Sequence, residues 1–210
     1  MSDLLPQRMR NRLPTIWACL LGFAPLAWLP IGTLQAAEDF SVEAQRNADL
    51  IEVRARATIE APLAVVWGTL TDYEKLPEFV PGMKRSRIIA RRGATSTVEQ
   101  SGEARFLFFT HPIEITVEST ERPPYIEVRR VSGNVRHLEG RYETEVLDGG
   151  RRVLLRWNGA IAPDISLPPL IGEVLMRMSI EDQFGGMVRE IERREALRRQ
   201  RQAPREPAAR

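Results

Sequence analysis

The connections between strand patterns in this chain are too short to allow more than one kind of sheet. Polar and apolar side chains alternate over residues 87–90, 97–109, 113–118, 125–131, 138–146 and 152–161. The links between these segments are short and carry turn formers, among them Arg92-Gly93-Ala94, Pro123-Pro124 and Asp148-Gly149-Gly150. A parallel pair needs a crossover of about a dozen residues or more, so these strands pair antiparallel through hairpins. Alternation at period two gives each strand one apolar face to bury. The segment that can cover that face comes last. After Pro163, Pro168 and Pro169 a helical pattern runs from about residue 170 to 197.

The front of the domain is mixed. Residues 51–59 alternate strictly and read as a half-buried strand. Ala61-Pro62 opens a helix, because proline suits the first helical positions. That helix holds Val65, Val66, Trp67 and Leu70 and ends near Asp72-Tyr73. A second short helix over 74–79 stops at Val80-Pro81-Gly82. The order is strand, two short helices, six strands and a long helix, which is an α+β domain.

Residues 1–36 read as an address. Arg8, Arg10 and Arg12 precede a stretch from 14 to 37 without a charged residue, and small residues follow Pro30 and Gly32. This is the pattern of a secretory signal peptide, with Ala36 or Ala37 as the last residue removed. An uncleaved membrane anchor over residues 15–34 is the alternative, since the run approaches the ~20 residues of a span. The first reading predicts a periplasmic or secreted protein. The chain has one cysteine, Cys19, inside this segment, so the mature part would have none. That suits an oxidising compartment and leaves no thiol for catalysis or metal binding. With only His111 and His137 besides, the sequence implies no metal site and no cofactor.

Composition is that of a globular protein, with 43% hydrophobic and 28% charged residues and a net charge of +2. The basic residues gather late. Residues 189–210 hold eight Arg and four Glu. The expected organisation is a signal peptide over 1–36, a domain over 37–195 and a basic disordered tail over 196–210. The tail has no aromatic residues for base stacking, so nucleic acid is not an expected partner. Weak contact with an anionic membrane surface fits it better.

Chemistry is sparse. There is no Gly-x-Ser-x-Gly elbow, no His-Glu-x-x-His and no dinucleotide-binding glycine loop. His111 and His137 read as surface histidines. Asp72, Glu74 and Glu78 cluster on one segment, where capping and solvation explain them. One face of residues 98–108 carries Val98, Gln100, Gly102, Ala104, Phe106 and Phe108 and should point inward. The final helix is apolar on more than one face in its first half and includes Met176, Met178 and Met187. Gly185-Gly186 interrupts its pattern, either for close backbone approach or as a hinge. Packing and a cavity both remain open for these surfaces.

Three stretches resemble a known family. They are Ile59-Glu60-Ala61-Pro62 through Val65-Val66-Trp67 to Asp72-Tyr73 and Phe79-Val80-Pro81-Gly82-Met83; Gly133-Asn134-Val135-Arg136 with Gly140-Arg141-Tyr142; and the proline-rich entry to the final helix. Together they are similar to the START-like helix-grip superfamily, which includes the polyketide cyclase/dehydrase and coenzyme-Q-binding families. The resemblance implies a curved antiparallel sheet of about seven strands gripping the C-terminal helix. It also implies an elongated apolar cavity between them. Its members bind lipids, quinones, polyketides or other hydrophobic molecules, mostly as carriers and sometimes as enzymes. The cavity-lining candidates are then Phe79, Met83, Gln100, Phe106, Phe108, Tyr142, Trp157, Val174, Met178 and Phe184. Arg130 or Tyr142 would anchor a polar head. A hydrophobic small molecule, lipid-like or quinone-like, is the expected partner. A cyclase/dehydrase enzyme and an interaction module with a filled core are the alternatives.

Overall fold

The structure, a computed structural model, describes residues 37–106, 109–164 and 169–203. The expected signal segment, residues 1–36, and the end of the expected tail, 204–210, lie outside the described residues.

Eight antiparallel strands form one sheet in the order β1-β2-β8-β7-β6-β5-β4-β3. They are β1 (Glu38–Asn47), β2 (Leu50–Ile59), β3 (Met83–Arg92), β4 (Thr95–Phe106), β5 (Phe109–Arg122), β6 (Tyr125–Gly133), β7 (Val135–Leu147) and β8 (Arg152–Pro163). Between β2 and β3 lie α1 (Leu63–Leu70), a 3-10 turn (Tyr73–Lys75) and α2 (Leu76–Phe79). The chain ends in α3 (Pro169–Gln202). The hairpins fall where the turn residues require. Gly149 and Gly150 take φ of 66° and 94° between β7 and β8, a conformation that costs glycine little.

Two boundaries differ from the sequence pattern. The alternation over 97–109 suggests one strand, yet β4 stops at Phe106 and Phe109 opens β5, paired with it. The additional strand is β1, whose few apolar residues, Phe40, Val42 and Ala44, are outnumbered by polar ones. It is an edge strand that joins β2 on one side only, so it needs little apolar alternation. Its outer edge is covered by α3. The Arg46 backbone N–H donates to Glu173 Oε1 at 2.7 Å, and the Phe40 ring lies 5.7 Å from that of Phe184.

The sheet curves because its ladder is broken at set places. Register shifts fall between Ile88 and Ala90, Thr116 and Val117, and Val135 and His137. An extra residue bends a strand and increases its twist. The concave face buries Ile51, Val53, Ile59, Val98, Ile126, Val153 and Leu155. Onto it α3 lays Phe184, Met187, Val188 and Ile191, all buried. Gly186 allows the close approach. A Cβ there would overlap the Phe79 carbonyl oxygen and crowd Pro81, so the turn after α2 rests directly on the helix. Gly185-Gly186 thus serves packing within a continuous helix.

That helix passes the expected end of the domain at 195 and runs to Gln202. The reason is a ladder of carboxylates clamped by arginines one turn ahead. Glu190 accepts from Arg193 Nε at 2.7 Å and Arg194 Nε at 2.7 Å, and Glu195 accepts from Arg198 Nε and Arg199 Nε, each at 2.6 Å. Such pairs at helical spacing support a helix that would otherwise fray. Two of them also reach outward. Arg194 Nη2 stands 3.0 Å from Asp72 Oδ2, and Arg199 Nη2 donates to the Glu60 carbonyl at 3.0 Å. No helix among the described residues is long and apolar enough to cross a membrane.

Two outcomes follow. Hydrogen bonds from Arg193 and Arg198, the largest cause in each case, hold the Glu190 and Glu195 carboxyls below the ordinary range. A depressed carboxylate stabilises the fold above its unfolded pKa of ~4.3 and loses that contribution as pH falls through the folded value. The denaturation midpoint should therefore drop as pH falls below ~4.3, and E190Q with E195Q should flatten that drop. Gly186→Ala should destabilise by about 1–3 kcal/mol in chemical denaturation, because overlap with backbone outweighs alanine's helix preference.

Candidate functional site

Alternate residues of β5 set the axis of a cavity. His111, Ile113, Ile115, Val117 and Ser119 all face it. Eight steps of extended strand span about 26 Å before curvature shortens them. The cavity volume is about 300 Å³. That is the lower end of the range of small-molecule sites, and far more than the few voids a packed interior leaves. Residues from Gln100 to Ala104 form one wall and Val135, Leu138 and Ile161 the other. Met176, Ile180, Phe184 and Met187 of α3 form the roof, with Leu70, Leu76 and Val80 covering one end.

The floor depends on two glycines. Gly140 of β7 pairs with Gly159 of β8, and Tyr142 pairs with Trp157. A Cβ at Gly140 would overlap the Trp157 ring, and one at Gly159 would crowd it. The indole therefore lies flat across bare backbone instead of standing into the cavity. The Tyr142 ring tilts against it at 4.6 Å between centroids. Burial alone lifts the Tyr142 pKa to about 12, so its hydroxyl stays protonated.

Polar groups are few and placed at the ends. At the end covered by α1 and α2, the Tyr73 hydroxyl lies 2.8 Å from Ser119 Oγ and donates to Glu121 Oε1 at 3.1 Å. Burial is the main reason its pKa is raised. This bond fastens the 3-10 turn to β5. At the other end stands His111, whose Nε2 is buried with no hydrogen-bond partner among the described residues. Along the β4 wall, Gln100 Nε2 reaches Ser86 Oγ only at 3.5 Å, and Glu103 pairs with Lys84. Among the described residues no three metal-ligating side chains converge.

The expected lining residues divide. Met83, Gln100, Tyr142, Trp157 and Phe184 stand on the cavity wall. Phe79 does not. It packs half-buried at the helix junction, with the Arg194 guanidinium 5.5 Å above its ring. Val174 and Met178 face outward, 47% and 46% exposed, because α3 turns Met176 and Ile180 inward instead. Phe106 is the last residue of β4, with its side chain outside what is described, and Phe108 lies outside the described residues. Arg130 is half-buried, donates from Nη2 to the Gly133 carbonyl at 3.0 Å and keeps a buried Nε without a partner among the described residues. It does not line the cavity, so of the two expected anchors only Tyr142 is on the wall. His111 corrects the surface reading: it shares the inward parity of Ile113 and Ile115 on β5. Sequence reasoning also missed Tyr73 and the β5 stripe as cavity wall. Its alternation was visible, but not that the opposite wall stands away from it. Asp72 is spent on Arg194 and Lys75, away from the cavity.

The family model described as polyketide cyclase / dehydrase and lipid transport matches residues 59–184. No curated protein matches the chain in sequence. Among solved structures, the Zhui aromatase/cyclase from Streptomyces sp. R1128 superposes with a TM-score of 0.61 at 15% identity, covering 74% of this chain and 99% of that one. A STAR-related lipid transfer protein fragment from Xanthomonas axonopodis gives 0.60 at 13% identity, covering 75% and 96%. The lipid transfer and protein localization domain of human StarD13 gives 0.53 at 13% identity, covering 74% and 89%. At these identities the likeness is one of fold.

Gly140→Ala tests the floor. It should lift the indole from the sheet, weaken the near-ultraviolet circular dichroism of the Tyr142–Trp157 pair and cost about 1–3 kcal/mol of stability. An unchanged spectrum and stability would mean that the flat ring does not depend on the glycine.

Proposed function

The chain belongs to the polyketide cyclase / dehydrase and lipid transport family, and from that premise we propose that it is an exported carrier of a hydrophobic small molecule. The observation that carries the reading is the cavity itself. About 300 Å³ lies between sheet and helix, lined mainly by Ile113, Ile115, Val117, Leu138, Met176 and Ile180. An apolar ligand entering such a space leaves water at about 25 cal/mol for each Å² buried. Methionines at 176 and 187 give the roof a surface that adapts to ligand shape. A lipid, a quinone or a polyketide would each suit it. Export rests on the charge-free run behind Arg8, Arg10 and Arg12, and places the carrier in the periplasm or outside the cell. The basic C-terminal residues would favour weak contact with anionic membrane during exchange.

Binding is favoured over catalysis by the polar inventory of the wall, where the His111 Nε2 has no hydrogen-bond partner among the described residues to orient the ring for proton transfer. The carboxylate among the described lining residues is Glu103, held by Lys84, and the Tyr73 and Tyr142 hydroxyls are both pushed upward in pKa. A general acid works best with a pKa near the operating pH, and these have moved away from it.

Native mass spectrometry of the protein recovered from the exported fraction tests the reading. The expected result is an added mass that organic extraction removes. Ile180→Trp, which fills the roof, should abolish the added mass while circular dichroism stays that of the wild type. A bare protein mass, with no binding of an apolar fluorescent probe, would favour the filled-core module.

A further inference from the structure

Two polar groups on the cavity wall have no hydrogen-bond partner among the described residues. The His111 Nε2 is buried and without a partner among the described residues. The Tyr142 hydroxyl sits on a cavity-facing ring, and no described residue hydrogen-bonds it. Buried polar atoms are normally satisfied, and an unmet one is costly until something supplies the bond. Most other polar side chains on the wall are engaged, and Gln100 is held only loosely, 3.5 Å from Ser86 Oγ. Tyr73 is bound to Ser119 and Glu121, Gln183 donates to Ser179, and Glu103 pairs with Lys84.

The unmet pair stands far apart. His111 is opposite Ala104, at the start of β5. Tyr142 is opposite Ile126, which in turn is opposite Glu121, near the end of β5. Ten residues of β5 separate the two levels, roughly 30 Å of strand before curvature and side-chain reach shorten it. Between them the wall is mainly apolar, from Ile113 and Ile115 to Val128 and Leu138, with Gln100 opposite Ile115 as a polar exception. Charge adds a further restriction. No Lys or Arg is among the described lining residues, while the Glu103 carboxylate is. An anion brought inside would lose its water and meet no described cation.

We propose that the cavity selects an elongated, uncharged molecule with a hydrogen-bonding oxygen at each end, one meeting the Tyr142 hydroxyl and the other the His111 imidazole. This rests on the carrier reading and narrows it. The discrimination works chiefly by rejection. A pure hydrocarbon leaves both protein groups unpaired, and sites built to hydrogen-bond a ligand reject analogues that lack the partner. A dicarboxylate of the same length is rejected by desolvation.

Four probes of one chain length separate these effects in calorimetric titrations of the full chain: hexadecane, hexadecanol, hexadecanediol with a hydroxyl at each end, and hexadecanedioate. The diol should bind tightest, with about a tenfold step for each hydroxyl, the size of one hydrogen bond. The dicarboxylate should bind weakest. Tyr142→Phe and His111→Leu should each cut the preference for diol over hexadecane by about tenfold. The wild-type series stands without the variants, should either fail to fold. Equal affinity for alkane and diol, or tightest binding of the dicarboxylate, overturns this inference and leaves the carrier reading standing. Binding of none of the four, with no extractable mass on the native protein, overturns both.

Discussion

One helix closes a sheet that has no second sheet to pack against. The concave face of eight strands must be covered, and α3 is the long element left to cover it. It does so unevenly. From Phe184 to Ile191 its inward face is buried against sheet and α1, and Gly186 lets the turn at Phe79 and Pro81 rest on its backbone. Before Phe184 the same helix is held at the sheet edge, where Glu173 accepts from the Arg46 N–H, and Met176 and Ile180 line the cavity. A cavity can persist only where neighbouring contacts prevent collapse, since native interiors otherwise pack to near-crystal density.

The glycines decide where that space lies. Gly140 and Gly159 let the Trp157 indole lie along the sheet, so the largest side chain of β8 widens the cavity floor instead of filling it. Gly82 and Gly102 do similar work at the edge. A Cβ on Gly102 would overlap the Gly82 carbonyl, and the Glu103 N–H donates to that carbonyl at 2.8 Å. The turn that leads into β3 is thereby pinned to β4, beside Met83 on the wall. The arginine–glutamate ladder at the other end of α3 fastens the helix through Arg194 to Asp72 and through Arg199 to Glu60. The cavity is thus framed by fixed points at the α2 turn, the β7–β8 floor and the helix end.

Much of the fold was legible in the chain. The hairpin turns at Arg92-Gly93-Ala94 and Asp148-Gly149-Gly150, the strand over 51–59, both short helices and the long final helix all stand near their expected places. β1 was not legible, because an edge strand capped by a helix needs few apolar residues and its own are sparse. The helix end at Gln202 was missed because side-chain pairs, rather than apolar periodicity, sustain it. Among the lining candidates, Met83, Gln100, Tyr142, Trp157 and Phe184 reach the wall; Gln100 and Trp157 share the apolar parity of their strands, whereas Met83 was expected only from the resemblance. Val174 and Met178 share the apolar character of their neighbours, and character does not tell which face of a helix turns to the sheet.

By itself the sequence determined the connectivity, the antiparallel pairing and which side of most strands is apolar. Short turns and period-two alternation are local properties, and they act before any tertiary contact exists. Only the tertiary structure decided that the apolar faces enclose a space, that His111 turns into it, and that Tyr142 faces it from beside a flattened tryptophan. Those outcomes depend on the distance between β5 and α3 and on backbone approaches at Gly140, Gly159 and Gly186. Such distances are set jointly by elements far apart in the chain, and no single segment carries them.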